Sequence, residues 1–498
     1  MERFAKQNSK NPNATYYPKG ELVIVKDSIN NFQLAWKFVI STLEPDDELL
    51  VIINAITGKL INKGTLILHN NVACVAQTLY STNQNITGDT YTGGIRLSEV
   101  RNNVSIHTLN MRNQLNNYTN AAEFSNNNTN WTTGSWANIN QDQAALDAHW
   151  AGEMVFDYWH NVHNRNSIDG GGIPVIGYVH FYVPNSPVGW PDNAAWVPGN
   201  NNHFMEYGDG DGTTFRPFVA LDIDAHEFGH GVNEFTSNLG TVNQNQEEDA
   251  LNEGLSDIWG ISVKNFAAPN KPLWFLGGEI LLNSAYNCIR NAQDPKSTLA
   301  EEGRHPNTYH GQYWSSTGEP HTNSTVLSHW FYLLSQGGSG TNDNSNAYNV
   351  NGLGINEAQQ IVYQAEAHHL QPGDEYADAR NAMIDAATDL YCANSPEVVA
   401  VTNAWYAVGV GTQSAAGMSI TGSPSTSIYN TSTYSVINQP AGITSRIWSI
   451  DNTYMASINS TTGVATRIGD GTANVLATIT GTGNCNPHCS KKVNFHFF

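Results

Sequence analysis

Two histidines four positions apart bracket a glutamate in His226-Glu227-Phe228-Gly229-His230. On an α-helix, positions i and i+4 stand on one face, so both imidazoles can grip one metal ion. Glu227 then lies beside that metal without being needed as a ligand. A carboxylate from a second helix, Glu253, can complete a two-histidine, one-glutamate zinc site that leaves a fourth position open for water. The five letters form the H-E-x-x-H pattern, in which the intervening glutamate acts as a general base. Two exposed histidines on a helix would spell the same pattern, so the surrounding residues decide between the readings.

From Ala250 onward, Leu251, Leu255 and Ile258 form an apolar helical stripe, and Glu253 and Asp257, again i and i+4, share the polar face. Glu253 reads as the third ligand. Asp257 reads as an outer acceptor that holds a histidine N–H and so selects which ring nitrogen meets the metal. An exposed acidic face is the plain alternative.

These groups need elements to hold them. Residues 215–225 run straight into the histidine helix, with Asp224 expected as a first-turn or N-cap acid. Ala144, Leu146, Ala148, Ala151, Val155 and Trp159 recur at near-helical spacing, with His160 and His163 as polar residues at the helix exit. Residues 176–183 read as a strand, and Gly208-Asp-Gly-Asp-Gly212 as a turn or a loose metal-binding loop. Residues 326–412 are helix-rich, with apolar stripes over 326–335, 357–368 and 376–390. A mixed lobe meeting a helical one places the histidine helix at the floor of a cleft.

The flanks differ in kind. Residues 21–68 alternate apolar and polar and turn at Thr57-Gly58, the pattern of a small antiparallel sheet without catalytic groups. Residues 417–498 alternate again with frequent turns, which predicts a β-sandwich. The expected organisation is α+β, with units at 1–75, 76–235, 236–412 and 417–498.

A net charge of −21 disfavours nucleic acid or an anionic membrane as partner. No apolar run approaches a membrane span. Met1-Glu-Arg-Phe4 does not lead into a signal-peptide core, which leaves a cytosolic protein or a processed chain. The cysteines, Cys74, Cys288, Cys392, Cys485 and Cys489, lack CxxC spacing. Pairs 485–489 and 288–392 are the candidate disulfides, with buried neutral thiols as the alternative.

Asn193-Ala194-Ala195-Trp196, the Gly208–Gly212 turn, the histidine motif, Asn252-Glu253-Gly-Leu-Ser-Asp257, Arg290 with Asp294-Pro295, and His321-Thr-Asn323 follow one another in an order that resembles the thermolysin-like neutral zinc metallopeptidases, the gluzincins. The resemblance covers about 76–411, and the first segment resembles the end of that family's propeptide, with cleavage expected between about Leu68 and Thr78. It implies a two-lobed catalytic unit. One zinc ion would be held by His226, His230 and Glu253, with Glu227 as base and His321 as oxyanion donor. Asp257 and Asn252 would orient the histidines. Asn193, Ala194 and Arg290 would hold substrate backbone. Phe215, Phe218, Ile223, Leu276 and Ile289 would line the pocket for the residue after the scissile bond; all five are apolar, which predicts a preference for hydrophobic residues there. It further implies a secreted monomer acting on proteins or peptides, with its propeptide as inhibitor and chaperone. The tail resembles bacterial immunoglobulin-like modules.

Three departures stand out. The family's double calcium site uses an acid four before the first zinc histidine, here Asp222, and another eleven after the third ligand, here Lys264. A lysine cannot ligate calcium. The expectation is therefore no calcium site and a Lys264–Asp222 pair. The family's oxyanion tyrosine is missing from residues 240–247, leaving His321, or Asn243 or Gln244, to take that role. The aspartate that pairs with the oxyanion histidine is also missing; Glu319 is the nearest acid, its reach left open by sequence. These losses motivate a rival reading, a catalytically weakened peptide-binding protein. A zinc exopeptidase is disfavoured, because no charged group for a free terminus stands beside the motif.

Overall fold

The computed structural model describes residues 19–26, 32–43, 46–65, 70–91, 93–114, 118–132, 142–181, 192–199, 203–241, 246–300, 303–414, 418–426, 431–439, 443–481 and 488–495. Four antiparallel strands come first, Glu21–Lys26, Phe32–Leu43, Asp46–Asn54 and Leu60–Thr65, paired in sequence order. Partners directly across a ladder share a face. The register Leu22↔Trp36 and Ile24↔Leu34 therefore gathers apolar side chains on one side, where Ile24 is 71% exposed.

A five-stranded sheet follows, with Asn71–Gln77 between Asn83–Tyr91 and Asn130–Trp131. A six-stranded sheet then carries Val104–Gln114, Val175–Phe181 and Phe204–Gly208 side by side in parallel, closed by the antiparallel edge strand Ala194–Val197. Helix α1 (Gln143–His163) is started by Asp142, whose carboxylate accepts from the amides of Ala144 and Ala145. That removes two unpaired donors at the helix start. Helix α2 (Leu221–Glu234) packs against the strands Ala194–Val197 and Phe204–Gly208 and crosses α3 (Gln246–Ala267), and α4 (Thr325–Gln336), α5 (Ile355–His368), α6 (Tyr376–Tyr391) and α7 (Pro396–Ala407) complete the helical lobe.

One hydrophobic core runs from Cys74 to Val410 and is shared by both lobes. At its centre Trp159 of α1 meets Trp259 of α3 with ring centroids 4.7 Å apart, and Phe228 of α2 at 6.2 Å. The tail has a separate core, including Tyr434, Trp448, Val475 and Val493, within short sheets. Among the described residues no helix is long and apolar enough to cross a membrane.

Asp224 is the first-turn acid of α2 and not its cap: Ala220 holds the cap position without a side-chain bond, and Asp224, buried, accepts from Tyr207 at 2.5 Å. One expectation is corrected. Cys288 is free and buried while Cys392 is disulfide-bonded, which overturns a 288–392 pair. The 485–489 pair lies outside the described residues, because Cys485 is not among them.

The crossing of α2 and α3 is close because glycines stand at the contact. A Cβ on Gly229 would lie 3.0 Å from the Ser256 Cα, and one on Gly260 would lie 2.7 Å from the Asp222 carbonyl oxygen. Gly260→Ala is expected to destabilise the protein by about 1–3 kcal/mol through overpacking. That exceeds the gain of about 1 kcal/mol that alanine brings to a helix interior. Urea unfolding checks it, and a variant as stable as wild type would contradict the packing account.

Candidate active site

Helix α2 presents His226 and His230 one turn apart, and α3 presents Glu253 to them. His226 Nε2 lies 3.0 Å from His230 Nε2 and 3.2 Å from Glu253 Oε2, and His230 Nε2 lies 3.6 Å from Glu253 Oε1. Four ligands at about 2.0–2.2 Å around a tetrahedral zinc leave neighbouring donors roughly 3.3 Å apart, which matches this triangle. Among the described residues it is the one cluster whose ligand atoms converge in this way.

The outer partners decide what the triangle can hold. His226 Nδ1 faces Asp257 Oδ1 at 3.0 Å, and His230 Nδ1 faces Asn252 Oδ1 at 2.9 Å. The Asn252 amide nitrogen donates to the Leu239 carbonyl, which orients its oxygen toward the ring. With both Nδ1 atoms donating, both Nε2 atoms turn lone pairs toward each other and toward a carboxylate. Such a triangle is repulsive without a cation at its centre. With no cation there, Asp257 and Glu253 outweigh the burial that opposes charge and push the His226 pKa up to about 10, so that a proton on Nε2 takes the place a metal would fill. The donors fit a divalent zinc.

Glu227 is buried, and its Oε2 accepts from the backbone amide of Trp196 at 2.8 Å. That amide belongs to the edge strand Ala194–Val197, which brings Asn193 and Ala194 to the same rim. On the opposite wall a single helical turn, Pro320–Asn323, aims His321 at the cluster, with Nε2 3.6 Å from Glu253 Oε1. Glu319 reaches His321: Oε1 lies 2.9 Å from Nδ1, while Oε2 accepts from the Thr322 amide. Glu319 thus caps this turn and faces the histidine ring at once. Although burial opposes ionisation, these bonds hold its carboxyl at about 2.

A cleft of about 1100 Å³ is lined by His226, Glu227, His230, Glu253 and His321. Phe215, Phe218, Ile223, Leu276 and Ile289 also line it and give its wall apolar side chains. Arg290 also lines the cleft, but its guanidinium grips Asp257 in a two-pronged bond of 2.8 and 2.7 Å. Asp257 is wholly buried; Arg290 and His226 overcome the burial cost and lower its carboxyl to about 2. Asn243 and Gln244 lie outside the described residues.

Three participants escape sequence reasoning. The Trp196 amide must, since its place depends on sheet register. Ser256 bonds His230 Nδ1 at 3.1 Å, and its position three after Glu253 on one helix was a usable signal. Ser328 donates to Asp257 at 3.2 Å from α4, a contact no local spacing encodes. Where the resemblance implied a cation ligand, Lys264 lies 2.5 Å from Asp222.

Residues 74–234 match the thermolysin metallopeptidase catalytic domain, and residues 241–410 match the thermolysin metallopeptidase alpha-helical domain. Bacillolysin of Brevibacillus brevis is 39% identical over 271 residues, covering 54% of this chain and 46% of that protein. The thermostable neutral protease NprT of Geobacillus stearothermophilus is 38% identical, with 56% and 48% covered. Thermolysin of Bacillus sp. (strain EA1) is 37% identical, with 55% and 48% covered. The chain thus spans about half the length of these relatives. Among solved structures, the precursor of protealysin from Serratia proteamaculans aligns at 23% identity with a TM-score of 0.49, over 63% of this chain and 90% of that one. With both domains matched in order and the metal cluster split between them, the chain belongs to the thermolysin family of metallopeptidases.

Proposed function

We propose that this protein is a secreted zinc endopeptidase, made as a zymogen, that cuts peptide bonds on the amino side of hydrophobic residues. The observation that carries the reading is the shared cleft. The Nε2–Nε2–carboxylate triangle, the amide-held Glu227, His321 and an apolar pocket all open into it.

Zinc held by His226, His230 and Glu253 would polarise the scissile carbonyl and bring the pKa of a water to about 7. Glu227 would take the proton of the attacking water and pass it to the departing amine. The Trp196 amide keeps the carboxylate turned into the cleft for both transfers. His321, oriented by Glu319, donates to the oxygen on which negative charge develops. Ala194 on the edge strand and Asn193 just before it present backbone and side-chain partners to an extended peptide. Asp257 holds His226 while Arg290 neutralises Asp257, so this charged pair keeps both the ligand and the cleft wall in place. Glu319 within reach of His321 weakens the case for a decayed, merely peptide-binding scaffold.

The four-stranded segment of residues 21–65 would serve as the propeptide. Asn71–Gln77 pairs on both sides within the first-lobe sheet, so cleavage before Asn71 leaves that sheet intact. The tail from 418 would be an immunoglobulin-like attachment or spacer module; its separate core supports that reading.

Glu227→Ala is expected to lower casein hydrolysis by about 10²–10⁴-fold with zinc content unchanged, as measured by metal analysis alongside turnover. Equal hydrolysis by both proteins would sink the mechanism. Chelation with phenanthroline should abolish turnover, and zinc should restore it. Exchanging the residue after the scissile bond from Leu to Gly in a blocked dipeptide should lower kcat/KM by more than about 10-fold, since each methylene in such a pocket is worth about 1–3 kcal/mol. Indifference to that exchange would contradict the pocket assignment. Amino-terminal sequencing of the processed protein locates the cleavage.

A further inference from the structure

The Lys264 side chain in the last turn of α3 is 3% exposed and Asp222 in the first turn of α2 is fully buried. The Lys264 ammonium contacts Asp222 Oδ2 at 2.5 Å and donates to the carbonyl oxygens of Phe275 at 2.6 Å and Pro272 at 3.3 Å. Asp222 Oδ2 also accepts from the Gly277 amide at 3.0 Å. Three separate pieces of chain therefore meet on one cation. The first is the helix that carries the metal histidines, and the second is the helix that carries Glu253. The third is the segment 272–277, whose Leu276 lines the specificity pocket and pairs with Arg290 across a short ladder.

We propose that Lys264 is a positioning residue, a covalently attached cation that does here what a bound divalent ion would otherwise do. It ties the pocket wall to the metal helices and makes that junction independent of calcium. An ammonium needs oxygen acceptors at hydrogen-bond distance and supplies one positive charge, and the carboxylate with two carbonyls meets that need. The same donor set cannot admit a calcium ion while the ammonium fills it, because calcium requires six to eight oxygens and tolerates no cation among them. The proposal rests on reading the cleft as a peptidase site only for its effect on substrate; its effect on stability stands apart.

The test uses the full zinc-loaded chain in four forms, wild type, Lys264→Met, Asp222→Asn and the double variant. Melting is followed with and without millimolar calcium at constant zinc. Affinity for a blocked dipeptide with Leu after the scissile bond is measured by calorimetry in a Glu227→Ala background, so that no turnover is needed, after the segment before Asn71 has been cut away by an added protease. Wild type is expected to show the same melting temperature with and without calcium. Lys264→Met, which strands a buried carboxylate, should melt lower, and the double variant, with no buried charge left, should recover much of that loss. The double variant should nonetheless bind the peptide about 10-fold more weakly at unchanged zinc content, because the wall is no longer tied to the helices. A strong calcium-induced rise in wild type would overturn the internal-cation claim. A double variant that regains both melting temperature and full affinity would overturn the positioning role. Failure of wild type to hydrolyse casein would count against the proposed function alone, since neither arm depends on turnover.

Discussion

The close crossing of α2 and α3 is the constraint from which the other features follow. Glu253 can meet two histidines of another helix only if the helix axes approach more tightly than ordinary side chains allow. Gly229 and Gly260 remove the side chains at the contact, where a Cβ would press on Ser256 or on the Asp222 carbonyl oxygen. Glycine inside a helix costs about 1 kcal/mol in propensity, which packing against Trp159 and Trp259 offsets. The hydrophobic core thus sets a separation that the metal cluster then uses.

Charge is arranged around the crossing in a similar way. Asp257, wholly buried, is shared by His226, Arg290 and Ser328. A buried carboxylate with a single partner would remain costly, whereas three partners satisfy its lone pairs. The result fixes the tautomer of a ligand on one side and a cleft-lining guanidinium on the other. Removing any one partner therefore disturbs more than a single bond. Lys264 and Asp222 perform the equivalent task at the start of the metal helix, a turn before His226.

The cleft joins groups from elements that share no local pattern. An edge strand supplies the amide that holds Glu227, and a short capped turn supplies His321. Glu319 performs two tasks in that turn, as helix cap and as histidine partner, through its two oxygens. A glutamate two residues before the histidine is therefore long enough, because the turn folds it back on itself. Sequence left open whether Glu319 could stand in for the missing aspartate, and the fold of this turn brings it to His321.

Local spacing was enough to specify the helix-borne groups of this protein. The intervals His226–His230 and Glu253–Asp257 are periodic within one element, so they put ligands and an outer acceptor on defined faces before any tertiary contact is known. Apolar periodicity likewise marked α1, α4, α5 and α6 and the two β-rich flanks. The contacts that cross elements were set by the folded chain alone. These are the Trp196 amide on Glu227, Ser328 on Asp257, Arg290 turned onto Asp257, and Lys264 reaching the carbonyls of segment 272–277. Folding also left Cys288 free, and it gave the cap of α2 to Ala220 with Asp224 in the first turn. The difference is one of range. A helix repeats every 3.6 residues and announces its faces locally, whereas a hydrogen bond between distant segments depends on register and packing that no short window of residues contains.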